Sequence, residues 1–211
     1  MTTTNPLLDP TQCALLLVDP QPGLAFAVQS VDRQLMLNAM TALLKTARAF
    51  SVPAVITTSA TKVYSGPVFS GLRNSFPELE AVDRRSMNAW EDEKVRGIVE
   101  GHGKKTLLIA GLLTEACVSF PALHARAEGY NVYCVADACG GATEESHRLA
   151  LSRMKSAGVV MTSWLQLLLE FQRDWTRRET YDAARSIVEE HAGGYGIGLS
   201  YARDMIHPAS S

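Results

Sequence analysis

Residues 107–118 constrain this chain more than any other stretch. They comprise the apolar run Leu107, Leu108, Ile109 and Ala110, then Gly111, Leu112 and Leu113, then Thr114, Glu115, Ala116, Cys117 and Val118. An uninterrupted apolar run too short for an ordinary helix reads as a strand buried on both faces, which parallel sheets require. The glycine stops it, and the residues that follow open a helix with Cys117 in its first turn. Unpaired N–H groups and the positive end of the dipole at a helix start favour thiolate and can hold a developing oxyanion. A cysteine packed as a small apolar residue is the bland counterpart of that reading.

The rest of the chain repeats the pattern of strand followed by helix. Residues 13–18 form a buried strand ending on Asp19, with Pro20, Gln21, Pro22 and Gly23 as a loop after it. A helix is expected over 32–50, a second strand over 52–58, and a long loop over 59–76 that could close over a site. A short third strand is expected within 79–85, a helix over 91–100, and a fourth strand over 105–111 with its helix running to Glu128. A fifth strand over 131–136, a helix over 143–157 capped by Thr143, and a sixth strand over 159–162 follow. Residues 164–175 and 181–191 read as helices. The glycine-rich remainder, 193–211, lacks periodicity and reads as loop or as a strip lying on a partner subunit.

Alternating strands and helices imply one α/β domain spanning 1–211. It is a doubly wound, mostly parallel six-stranded sheet of order 3-2-1-4-5-6, with helices on both faces in three αβα layers. In that order strands one and four are neighbours where the winding reverses, so Asp19 and Cys117 should face each other across the ligand crevice. A carboxylate beside a thiol is a base beside a nucleophile, as covalent acyl transfer needs.

Composition excludes several classes. With 211 residues, 46% hydrophobic, the chain can bury a full core. A net charge of −2 with mixed signs gives no nucleic-acid stripe. No apolar run reaches the roughly 20 residues of a membrane span, and Met1–Asn5 carries no basic or apolar leader, so a cytoplasmic location is expected. Cys13, Cys117, Cys134 and Cys139 form no CxxC pair and read as reduced thiols. Cys139, in a glycine-rich turn, is weighed as a redox thiol against a packed turn residue. No G-x-G-x-x-G follows the first strand and no G-x-S-x-G occurs.

Four segments in this order and spacing are similar to the isochorismatase-like cysteine hydrolases, especially the YcaC-like branch: Leu16 to Gln21, Arg84 to Asp92, Ile109 to Val118, and Val135 to Ala138. The resemblance runs from Ala14 to about Trp175. It implies a catalytic Asp, Lys and Cys. The Asp and Cys fall on Asp19 and Cys117, whereas the Lys position holds Arg84. Guanidinium keeps its proton, so Arg84 can orient and stabilise charge but cannot relay a proton. The resemblance also implies a cis peptide at Leu112-Leu113, with the N–H groups of Leu113 and Cys117 as the oxyanion hole. It further implies no cofactor, and self-assembly into a homo-oligomer with an octamer as the candidate state. The apolar stretch 164–175 is expected to be buried against neighbours.

Nicotinamidase relatives carry a metal held by Asp and His after the second strand, but residues 57–64 contain neither His nor carboxylate. The five histidines, His102, His124, His147, His191 and His207, lack ligand spacing, so no metal is expected. Isochorismatases proper cleave a vinyl ether and need no Cys at the nucleophile position. Keeping Cys117 therefore points to a hydrolase of small-molecule C–N bonds. Gln21, Asn88, Trp90 and Glu115 are the substrate-binding candidates. Their structural counterparts are a loop residue, a turn, core packing and a helix N-terminal charge, respectively. A catalytically idle scaffold or ligand-binding protein of the same fold is the alternative.

Overall fold

The computed structural model describes residues 6–206. Met1–Asn5 and the end of the tail, His207 included, lie outside the described residues. Six strands, β1 (Cys13–Val18), β2 (Ala54–Ser59), β3 (Val82–Arg84), β4 (Thr106–Leu112), β5 (Asn131–Gly140) and β6 (Val160–Thr162), form one sheet of order β3-β2-β1-β4-β5-β6. Every pairing is parallel. Every residue of β1 and β4 is buried, as their unbroken apolar runs require once helices cover both faces. Each buried leucine there stabilises the fold by about 1.5–3 kcal/mol relative to exposure.

The helices are α1 (Pro22–Ala27), α2 (Arg33–Ala49), α3 (Ser70–Ser75), α4 (Glu93–Gly101), α5 (Ser119–Ala127), α6 (Glu144–Ser156), α7 (Trp164–Gln172), α8 (Arg178–His191) and α9 (Gly194–Ile206). Helix α2 begins where Asp32 accepts from the N–H groups of Gln34 and Leu35, both at 2.9 Å. It packs with α7 and α8. Helix α5 packs against α6 and, through the turn Ala89–Glu91, against α4. Because right-handed crossovers reverse sides where the winding reverses, these two groups form the outer layers.

The reversal point is tight. Val18 of β1 pairs with Gly111 of β4. Gly111 has φ +131°, and a Cβ there would stand 1.8 Å from the Val18 carbonyl oxygen, so only glycine fits.

Several boundaries differ from the sequence-based expectation. Strand β5 does not end at Ala136: past an irregularity opposite Ile109 to Gly111 it keeps pairing with β4 as far as Gly140. The 59–76 loop contains a five-residue turn, Thr61–Ser65, and α3, and α1 follows Asp19 almost directly. The stretch from Gly194 is helix rather than loop, and Gly196 lets it seat closely on α8. A Cβ on Gly196 would meet the Val188 carbonyl oxygen at 2.4 Å. The apolar face of α7 is not left for a neighbouring subunit either. Trp164, Leu167, Leu168 and Phe171 are buried in this chain's own core.

Candidate active site

The site lies at the carboxyl ends of the strands. Asp19 follows β1 in the left-handed region, at φ +50°, a conformation that Asp tolerates better than most residues. Its amide donates to Thr57 of the neighbouring strand at 3.0 Å, which holds the turn open towards the crevice. The Asp19 carboxylate then gathers three donors. Arg84 Nη2 reaches Oδ2 at 2.6 Å, Ser59 Oγ reaches Oδ2 at 2.9 Å, and Thr57 Oγ1 reaches Oδ1 at 3.1 Å. Neither the Asp19 nor the Arg84 side chain has any exposed surface. A second guanidinium nitrogen of Arg84 donates to the Ser86 carbonyl, so the fork is held from both ends.

Cys117 arrives on the turn Thr114–Val118, which links β4 to α5. The Leu113 carbonyl accepts from Ala116 and Val118, and Thr114 Oγ1 lies 2.8 Å from His147 Nδ1. The Leu112-Leu113 peptide is cis. Among the four cysteines, Cys117 alone is only half-buried; Cys13, Cys134 and Cys139 are fully enclosed. Its thiol borders a cavity of about 560 Å³ together with Leu24, Arg84, Ser86, Met87 and Leu113. That volume suits a small molecule.

The electrostatics correct one expectation. The helix-start argument makes Cys117 acidic, yet its pKa is raised, first by burial and then by the Asp19 charge, with Arg84 opposing both. Burial also raises Asp19, against Arg84 and the two hydroxyls. The resting site is therefore a protonated thiol facing a carboxylate that is already paired. Burial lifts Cys13 further, to about 12, so that thiol is inert at neutral pH.

Asp19 and Cys117 come together as the strand order implied, and Arg84 joins them as the resemblance implied, but the four substrate-binding candidates do not border the cavity. Gln21 is wholly buried; its amide donates to the carbonyls of Ser59 and Gly66, and its Oε1 accepts from the Ser59 amide at 3.0 Å. It clasps the 59–66 segment. Asn88 accepts from Trp90 N–H at 3.1 Å and contacts Glu91 and His124, closing the turn after β3. Trp90 is core, edge-on to Tyr130 with centroids 5.1 Å apart and its ring N–H on Glu128 at 2.9 Å. Glu115 accepts from the Ala142 amide at 2.9 Å.

Thr57 and Ser59 were missed. Their signal was present: alternate residues at the end of the strand beside Asp19 point the same way. Cys139, weighed as a redox thiol, is fully buried with its sulfur 3.8 Å from that of Cys134. Among the described residues no group of three or more His, Cys, Asp or Glu side chains is placed to hold a metal ion. No helix among them is long and apolar enough to cross a membrane.

A parallel sheet in this order, with an acid, a cation and a thiol converging at its switch point, is an isochorismatase-like α/β fold, and the chain belongs to the isochorismatase family, whose domain matches residues 13–166. It is 35% identical over 196 residues to the probable hydrolase YcaC of Escherichia coli K12, spanning 92% of this chain and 93% of that protein. The crystal structure of the E. coli YcaC gene product, described as an octameric hydrolase of unknown specificity, superposes with a TM-score of 0.90 at 35% identity, covering 97% of this chain and all of that one. YcaC from Pseudomonas aeruginosa, solved with hexane-2,5-diol and covalent acrylamide, gives 0.89 at 33% identity, covering 95% of this chain and 99% of that one.

Proposed function

We propose that this hydrolase cleaves a C–N bond of a small amide-type substrate through a thioester on Cys117. The observation that carries the reading is the wholly buried Asp19–Arg84 pair beside Cys117, a half-buried cysteine that borders a cavity. The P. aeruginosa relative was solved with covalent acrylamide, whose alkene is open to addition by a nucleophile, and this fits a reactive nucleophile in this fold.

Asp19 takes the thiol proton as the sulfur attacks the carbonyl carbon. The raised pKa of Asp19 makes it a stronger base than an ordinary carboxylate, and Arg84 stabilises the thiolate as it forms. The N–H groups of Leu113 and Cys117 hold the tetrahedral oxyanion. Collapse breaks the C–N bond; the nitrogen leaves with the proton returned by Asp19, and the acyl group stays on sulfur. Water, giving a proton to Asp19, attacks the thioester; the acid is released and the thiol restored. Thr57 and Ser59 keep Asp19 aimed throughout.

Ammonia release from a panel of primary amides, with Cys117→Ala as control, tests this. Release by the parent protein that vanishes in the variant supports it; equal release from both, or none from any amide, overturns it.

We also propose that the chain works as a homo-oligomer. The supporting surface is α9 rather than α7: Ile197, Tyr201 and Met205 each leave about two-thirds of their area exposed, an apolar strip that isolated domains rarely carry. The octameric E. coli relative fits this. Sedimentation showing a monomer at micromolar concentration would refute it.

A further inference from the structure

Two cations at the cavity mouth have no role in holding the fold. Lys62, on the Thr61–Ser65 turn, and Arg85, next to the buried Arg84, both border the cavity and are exposed. Among the described residues, neither makes a hydrogen bond or an ion pair. Arginines elsewhere on the surface are engaged differently: Arg48 pairs with Glu78, and Arg96 with Glu100 and Glu128.

The charge around the cavity is unbalanced. Asp19 is neutralised by Arg84. Asp83 also borders the cavity, but its Oδ1 accepts from Thr58 at 2.9 Å and Thr61 at 2.6 Å, and it offsets only one of the two outer cations. The remaining wall is largely apolar, with Leu24, Val63, Tyr64, Met87, Leu113 and Ala116, and is interrupted by the hydroxyl residues Ser59, Thr61 and Ser86. A ligand filling such a cavity would place its uncharged body on the apolar wall and an anionic group at the rim.

We propose that the substrate is a small amide bearing a carboxylate at the end remote from the scissile bond, with Lys62 and Arg85 as the groups that select it. The inference rests on Cys117 being the reactive thiol of the proposed mechanism. A carboxylate suits the pair because Arg85 offers two parallel donors and Lys62 a mobile ammonium, both bordering the same cavity. Uncompensated positive charge in a walled cleft also raises the local concentration of anions.

Two alkylating reagents separate this proposal from the reading beneath it. Iodoacetate and iodoacetamide both react by displacement of iodide by sulfur, and they differ in charge. The second-order rate of labelling at Cys117 is measured for each by mass spectrometry at low ionic strength. The comparison is between the parent protein and the double variant Lys62→Gln, Arg85→Gln, so that attraction by the buried Arg84 is common to both. The expected result is that the ratio of the iodoacetate rate to the iodoacetamide rate falls about tenfold in the double variant, the lower end of electrostatic focusing. In the parent protein the same ratio should shrink as salt is raised from about 0.01 M to 1 M, where the screening length falls from about 30 Å to 3 Å. A ratio unchanged by the double substitution, with Cys117 labelled by both reagents, overturns the carboxylate preference and leaves the nucleophile standing. Failure of both reagents to label Cys117 overturns the nucleophile itself.

Discussion

Arg84 Nη2 and Asp19 Oδ2 stand 2.6 Å apart although 65 residues separate them in the chain, and neither side chain touches solvent. A charge pair enclosed on all sides contributes little net stability, because desolvation consumes most of the Coulombic gain. Its placement at the switch point of the sheet, facing a thiol, is explained better by chemistry than by folding.

Removing one member strands the other. Arg84→Gln should lower the unfolding free energy by about 3–5 kcal/mol, the usual cost of a buried charge left alone, as read by urea denaturation. It should also raise the Cys117 pKa further, because Arg84 is the group that opposes burial there. A variant as stable as the parent, with an unshifted thiol, would contradict the pairing.

Alkylation should be selective and alkali-dependent. Cys117 should label well before Cys13, Cys134 and Cys139, which are fully buried. Because the Cys117 pKa is raised, its iodoacetamide rate should keep climbing with pH beyond the ordinary thiol value of about 8.5. A rate that levels off below that value would show the thiol to be acidic instead.

Asp19 links stability to pH in a definite direction. Its folded pKa is raised, so between the unfolded value of about 3.9 and the folded value the native state holds a proton that the unfolded chain has released. Its contribution to stability therefore falls as pH rises through that window and is constant above it. Subtracting the stability profile of Asp19→Asn from that of the parent isolates the slope; a difference that increases with pH across the window would refute the assignment.

Gln21 should act on the cavity wall and leave the chemistry in place. Gln21→Ala leaves the Ser59 amide and two carbonyls without their partner, at about 1–3 kcal/mol for each buried group that finds no water. Thermal melting should fall, and KM for an amide substrate should rise more than kcat drops. A selective loss of kcat with unchanged melting would return Gln21 to the reacting centre.

Glycine at position 111 is a packing requirement. A Cβ there meets the Val18 carbonyl at 1.8 Å, and the backbone angle is one that side chains rarely adopt. Gly111→Ala should separate β1 from β4 and reduce both soluble yield and Cys117 labelling. A variant with parental melting temperature would show that the strands can part without consequence.

The chain by itself determined the parallel sheet and its order, the strand that ends on Asp19, the turn that carries Cys117 and the distant Arg84, because apolar runs, turn residues and motif spacing are properties of consecutive residues. Tertiary structure decided what surrounds them. It showed that Thr57 and Ser59 share Asp19, that Gln21, Asn88, Trp90 and Glu115 make contacts within the fold outside the cavity lining, and that α9 is a helix seated on α8 through Gly196. It also reversed the direction of the Cys117 pKa. A helix start lowers a thiol pKa through dipoles that can be read locally, whereas burial and the charge of Asp19 depend on which strand ends the fold brings together.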